Sequence, residues 1–214
     1  MTADSVSVGV LSLHNSKETK AICNAVEELG HSPEWLRREN TTVHVTDDGV
    51  TIEPDVDVVV NRLLLSKSTV PTEELGLAAT FDNVRPMLNR PTETLTAMHK
   101  VAAAVALRDA GIAVPEATMA LESERLNRTL AASDREMVYK TAVGTNGGGT
   151  WKVGPEDRVN AMVGHRFAFL QSLVETPDES RPRDLRVYVV DGDIVGSMYR
   201  YAPENDWRTN VALG

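Results

Sequence analysis

Two strand-length apolar runs with one capped helix between them limit what the first part of this chain can become. Val6 to Leu13 reads as a buried strand, and Ser16 to Leu29 as a helix opened by Ser16 and closed by Gly30. Val56 to Val60, apolar except at Asp57, reads as a strand covered on both faces. Strands of that kind need helices on both sides of their sheet, so a small open α/β domain ending near residue 88 is expected. Between the runs, Thr41 to Ile52 alternates polar and β-branched residues around Asp47-Asp48-Gly49, the mark of a hairpin. Ser12 to Ser16, between the first strand and helix, holds no glycine. That argues against a G-x-G-x-x-G dinucleotide fold and against hydride transfer.

Asn89-Arg90-Pro91 breaks the chain, and Thr92 with Glu93 opens a helix expected to run to Ala110 and end at Gly111. Leu95, Met98, Ala102, Val105 and Ala106 recur along it at three- and four-residue spacing as one buried stripe, with Lys100 off the stripe. Short strands are expected at Ala117 to Ala120 and Met137 to Thr141, joined by a polar connection holding Glu122, Glu124 and Arg125. A helix after Pro155, a strand from Phe167 to Leu173, and a strand pair Leu185 to Val190 and Ile194 to Tyr201 turning at Asp191-Gly192 complete the pattern.

Composition excludes several functions. The net charge of -9 argues against a nucleic-acid partner, which would need clustered lysine and arginine. Val6 to Leu11 is too short to span a bilayer and lacks a basic flank, so a cytoplasmic protein with no membrane partner is expected. The one cysteine, Cys23, rules out an internal disulfide framework and reads as a small core residue. The five histidines lack metal-motif spacing.

Chemistry concentrates in the second half. Met137-Val-Tyr-Lys140 puts a lysine at the end of an apolar strand, just before Gly144-Thr-Asn-Gly147-Gly148-Gly149, four glycines in six residues. Such a loop exposes backbone N–H groups that can close over phosphates while the lysine supplies positive charge. A tight hairpin turning at Asn146-Gly147, with Lys140 a solvated strand end, fits the same residues. Further on, Asp184 and Arg186 share a strand face, and Arg200 lies within cross-strand reach, so two guanidiniums can converge on a phosphate or carboxylate. Surface ion pairing is the alternative reading. Arg208, Thr209 and Asn210 add a charge, a hydroxyl and an amide in three residues.

Taken in order, Lys100 on a helix, Lys140 before the glycine loop, Phe169-Leu-Gln171-Ser-Leu173-Val, Asp184-x-Arg186, Met198-Tyr-Arg200 and Trp207-Arg-Thr-Asn210 resemble the RimK-type ATP-grasp ligases. The resemblance implies a mixed α/β and α+β protein with an N-terminal Rossmann-like pre-ATP-grasp domain over residues 1–88. It further implies a small ATP-grasp subdomain with the Gly-rich loop over 89–168, and a hinge with the start of an incomplete large subdomain over 169–214. ATP is then the nucleotide, with Mg²⁺, or Mn²⁺ in its place, as metal. An acceptor carboxylate is phosphorylated, and the acyl phosphate is attacked by an amino acid, usually glutamate. The acceptor would be a carrier protein, a protein C-terminus or a deazaflavin coenzyme tail, and a homo-oligomer is expected.

Carried over by position, Lys100 and Lys140 face the nucleotide phosphates under Gly147, Gly148 and Gly149. Ser172 and Leu173 are the adenine hinge, and Asp184 lies near the ribose. Arg186 and Arg200 are the catalytic cations on the acyl phosphate, and Arg208, Thr209 and Asn210 form a loop meeting ATP and substrate. The chain departs from the family at the hinge, where Gln171-Ser172-Leu173 replaces Gln-Glu and an aromatic. It departs again after Asn210, where the family continues with an Asp and a Glu-x-Asn pair that hold magnesium. Asp191, Asp193, Glu204 and Asp206 lack that context, so no metal ligands are assigned. The expectations are therefore a C-terminally truncated ligase, inactive alone and poorly soluble with a sheet edge uncovered. A non-catalytic ATP-binding module and an ATP-grasp ligase for another amino acid are the alternatives.

Overall fold

A computed structural model describes residues 4–144, 148–174, 181–204 and 206–209. The chain divides into two compact units, Met1–Met98 and His99–Gly214.

The first unit runs β1 (Ser7–Leu11), α1 (Lys17–Glu28), β2 (Ser32–Leu36), β3 (Thr42–Thr46), β4 (Gly49–Glu53), β5 (Val58–Asn61), α2 (Pro71–Val84), β6 (Met87–Leu88) and α3 (Pro91–Met98). Its parallel sheet has the order β2-β1-β5-β6, with Leu11 opposite both Leu36 and Asn61. Ser16 caps α1 by accepting the Thr19 N–H at 3.0 Å, and Gly30 takes φ +82°, both as the sequence implies. Leu11, Leu36, Ile52, Val59 and Phe81 pack as the core, so the expected β3–β4 hairpin and α2 close over the sheet.

The second unit runs α4 (Lys100–Asp109), β7 (Ala117–Met119), α5 (Ser123–Ala131), β8 (Met137–Thr141), β9 (Thr150–Val153), β10 (Met162–Val163), β11 (Arg166–Ser172), β12 (Arg183–Val190) and β13 (Asp193–Tyr201). One sheet is ordered β10-β11-β8-β9, with β7 also pairing β11; β12 and β13 form a separate ribbon. That ribbon turns at Asp191 and Gly192, both at positive φ (50° and 87°), the mirror-image turn that suits strand twist.

Three local expectations fail, each for an identifiable reason. The helix expected from Thr92 to Ala110 is two, because His99 is extended and its Nδ1 accepts the Ala102 N–H at 3.2 Å, capping α4. The apolar stripe is split with it: Met98 packs on the first core, while Leu95 and Val105 are exposed. The polar connection around Glu124 is helix α5, whose Leu126 and Leu130, one turn apart, are fully buried. Among the described residues no helix follows Pro155; the Asn127 amide binds both the N–H and the C=O of Val159 at 2.9 Å and takes the backbone groups a helix would use. Among the described residues no helix is long and apolar enough to cross a membrane.

Candidate functional site

Strand register brings the first pair of polar side chains together. Phe169 of β11 lies opposite Lys140 of β8, so Gln171, two residues further, shares the same face. Its Oε1 accepts from the Lys140 ammonium at 2.5 Å, and the Phe169 ring centroid is 5.4 Å from that nitrogen. Lys100 arrives from the first turn of α4. Its backbone N–H donates to the Ala142 carbonyl at 2.8 Å, and its Nζ to the carbonyls of Thr141 (2.9 Å) and Gly144 (3.4 Å). Both ammoniums therefore stand where β8 runs into the glycine loop. Burial, then the charges of Lys140 and Arg166, push Lys100 down to about 8. Burial pushes Lys140 down as well.

The stem of the loop is tight. Buried Thr141 donates its N–H to the Gly149 carbonyl at 3.1 Å, and Gly149 has φ +75°. A Cβ added there would lie 3.2 Å from the Thr141 Oγ1. Gly149→Ala combines that contact with a left-handed backbone, and is expected to lower stability by about 1–2 kcal/mol, read by denaturant unfolding. Gly147, with Thr145 and Asn146, lies outside the described residues, so the expected turn at Asn146-Gly147 does too.

The β12–β13 ribbon supplies the carboxylate. Asp184 lies opposite Arg200, whose Nε donates to it at 2.7 Å while the second guanidinium nitrogen takes the other oxygen; the Thr209 hydroxyl adds a bond at 2.6 Å. The Arg200 bonds, with smaller contributions from Thr209 and Arg186, hold the Asp184 carboxyl below its ordinary range against some desolvation. Arg208 is gripped in the same way by Asp206 (3.0 and 2.7 Å), whose pKa falls to about 2 chiefly for that reason. A double-mutant cycle on Asp184→Asn and Arg200→Gln is expected to give a coupling of about 1 kcal/mol, the upper range for a part-exposed bidentate pair. The Asp184 contribution persists above the ordinary carboxylate pKa of 3.8 and is lost as pH falls below it.

These groups line one cavity of about 460 Å³. Of the residues singled out from the sequence, Lys100, Lys140, Gly148, Ser172 and Leu173 meet there, with Asp184, Arg208 and Thr209 opposite. Gly149, Arg186 and Arg200 do not line it; Arg200 reaches it through Asp184. Asn210 lies outside the described residues. The Ser172 N–H is already donated to the Glu116 carbonyl at 2.8 Å, so it is not available to a ligand. Gln171, Trp207 and Arg183 also line the cavity, outside the set marked by the sequence. Gln171 enters the sequence pattern only as a departure from the family at the hinge and Trp207 only within a motif, and no sequence signal marks Arg183. Arg183 stacks on the Tyr199 ring at 4.4 Å.

Among the described residues four cations, Lys100, Lys140, Arg183 and Arg208, and one carboxylate line the cavity, with Val138, Leu173 and Trp207 as apolar wall, a lining whose charge suits an anionic ligand. Residues 97–214 match the RimK-like ATP-grasp domain. The chain belongs to the RimK-like ATP-grasp family. Over 225 aligned residues it is 26% identical to the tetrahydromethanopterin:alpha-L-glutamate ligase of Methanosarcina acetivorans, covering 91% of this chain and 67% of that one. It is 24% identical over 109 residues to the glutamate–LysW ligase ArgX of Sulfolobus acidocaldarius, covering 49% of this chain and 39% of the relative. Among solved structures, the ATP-grasp ligase PsnB complexed with minimal precursor, Mg and ADP superposes with TM-score 0.65 at 18% identity, over 97% of this chain and 74% of that one. The fold is therefore ATP-grasp.

Magnesium does not fit the described RimK-like residues. No group of three His, Cys, Asp or Glu side chains among them could hold a metal ion. The lining carboxylate, Asp184, is taken by Arg200 and Thr209.

Proposed function

We propose that the protein is an ATP-dependent carboxylate–amine ligase that adds glutamate to an acceptor carboxylate. The observation that carries the reading is the convergence of Lys100, Lys140 and Arg208 on one cavity, with a glycine stem on one wall and the Leu173 hinge on another. The names of the two glutamate ligase relatives support glutamate as the amine, and LysW supports a carrier protein as one kind of acceptor. Mg²⁺, or Mn²⁺ in its place, would enter with ATP and not on the described residues, which do not fit it; the magnesium and ADP of the PsnB complex support this.

In this reading the adenine edge meets the Leu173 N–H, and Ser172 contributes its carbonyl. Lys100, Lys140 and the N–H groups of Gly148 and Gly149 neutralise the phosphates, and Asp184 stands near the ribose. The γ-phosphoryl group passes to the acceptor carboxylate, giving ADP and an acyl phosphate. The glutamate amine attacks the acyl carbon, inorganic phosphate leaves with the bonding pair, and the amine loses its proton as the amide forms. Arg200, off the cavity wall and paired to Asp184, would meet the acyl phosphate by exchanging Asp184 for that more highly charged partner, with Arg186 adding positive charge from the same ribbon, while Arg208, Thr209 and Asn210 face ATP and substrate. Preplaced charge of this kind contributes about 2.7–4 kcal/mol of barrier lowering per donor.

A second reading, a module that binds ATP without ligating, is favoured by the lack of a metal-ligating group among the described residues. ADP release measured while L-glutamate and candidate acceptors are titrated separates the two. Release that needs both substrates supports the ligase; ATP binding with no release under any acceptor supports the module. Failure to bind ATP overturns both.

A further inference from the structure

The first unit carries a cavity of about 310 Å³ that the nucleotide site does not use. It opens at the carboxyl end of the parallel sheet. The chain passes from β1 outward to β2 and returns on the opposite side of β1 as β5, so strand order reverses there. Open parallel sheets bind ligands in the crevice outside such a reversal. Three of the four segments leaving that edge contribute, with His14 after β1, Arg38 after β2, and Lys67 and Ser68 after β5, joined by Glu74 from the first turn of α2.

Glu74 is the unusual member. It is 8% exposed, and no described residue donates a hydrogen bond to its carboxylate. Its ion partner, Arg38, stands 3.8 Å away on a side chain that is 65% exposed. A mostly buried carboxylate on a cavity wall, with an exposed arginine as its ion partner, favours a cationic donor from the cavity. An ammonium group would supply up to three N–H donors. Lys67 and Arg38 on the same walls call for negative charge. Arg38 and Lys67 against the one carboxylate of Glu74 leave the lining with an excess of one positive charge, which complements a zwitterion carrying one additional carboxylate.

We propose that this cavity binds an acidic α-amino acid, L-glutamate in particular, its ammonium on Glu74 and its carboxylates toward Arg38 and Lys67. The choice of glutamate rests on the function proposed above; the requirement for an ammonium and two carboxylates rests on the cavity. The volume is at the small end of ligand pockets and suits a single amino acid.

Calorimetric titration of the full chain tests this without nucleotide, using L-glutamate, N-acetyl-L-glutamate and glutarate. L-Glutamate is expected to bind at least about tenfold more tightly than either analogue, since each lacks the ammonium. Glu74→Gln should weaken L-glutamate at least about tenfold while leaving glutarate unchanged, and Arg38→Gln should weaken both. No L-glutamate binding, equal affinity for N-acetyl-L-glutamate, or a Glu74→Gln protein that binds like wild type each overturns the proposal. If Glu74→Gln fails to fold, the three-ligand comparison on the wild-type chain still decides. ATP affinity measured on the same samples keeps the two readings apart. Glu74-dependent glutamate binding without ATP binding sinks the ligase and leaves this site standing, and ATP binding without glutamate binding does the reverse.

Discussion

Lys140→Met is expected to weaken ATP binding by about a hundredfold, the cost of removing one preplaced charged donor from a phosphate. Methionine keeps most of the aliphatic stem that packs beside Phe169, so the loss falls on the charge and not on the strand. Gln171, which accepts from Lys140 in this structure, would be left facing the cavity without its donor. Calorimetric titration with ATP checks the effect, and circular dichroism checks that the sheet survives. An affinity within about threefold of wild type would remove Lys140 from the phosphate site.

ATP affinity is expected to be level below pH 8 and to fall above it, by no more than about tenfold per pH unit for one titrating group. Lys100 is the cause. Burial beside Lys140 and Arg166 lowers its pKa to about 8, so the free protein loses that proton well before an ordinary lysine does. Phosphate oxygens favour the charged form, so binding above pH 8 takes up a proton. The stability of the free protein moves the opposite way. Between about 8 and the ordinary 10.5 the unfolded chain binds more protons than the folded one, so stability rises as pH rises through that window. Titrations in two buffers of different ionisation enthalpy measure the uptake, and thermal unfolding with and without ATP measures the two slopes. Lys100→Met should abolish the Lys100 share of both; an unchanged pH profile in that variant would show that another group is responsible.

Much of the site was legible because its signals are local. A lysine at the end of the apolar strand Met137–Thr141, glycines directly after it, and an acid and a cation two apart on Arg183–Val190 follow from alternation and turn chemistry alone. Gln171 was not legible in the same way. Its role depends on β11 pairing with β8 in the register that sets Phe169 opposite Lys140, and a slip of one residue would turn it to the other face. Arg200 was placed correctly across from Asp184, yet its bidentate grip on that carboxylate, with the Thr209 hydroxyl on the same group, is a matter of distances no spacing rule contains. The hinge shows the same limit, since Glu116 takes the Ser172 N–H from 56 residues away.

Local patterning thus left β2, β6, β9 and β10 unmarked, but was enough for β1, the β3–β4 hairpin, β5, β7, β8, β11 and the β12–β13 ribbon, the caps at Ser16 and Gly30, the Asp191-Gly192 turn and the cationic character of the cavity. Each of these is settled by the conformational and solvation preferences of residues a few positions apart. The break at His99, the mostly buried side chain of Glu74, the bond from Lys140 to Gln171 and the grip of Arg200 and Thr209 on Asp184 came from the folded chain. They arise where groups distant in sequence compete for the same hydrogen bonds, and that competition is resolved by packing and register.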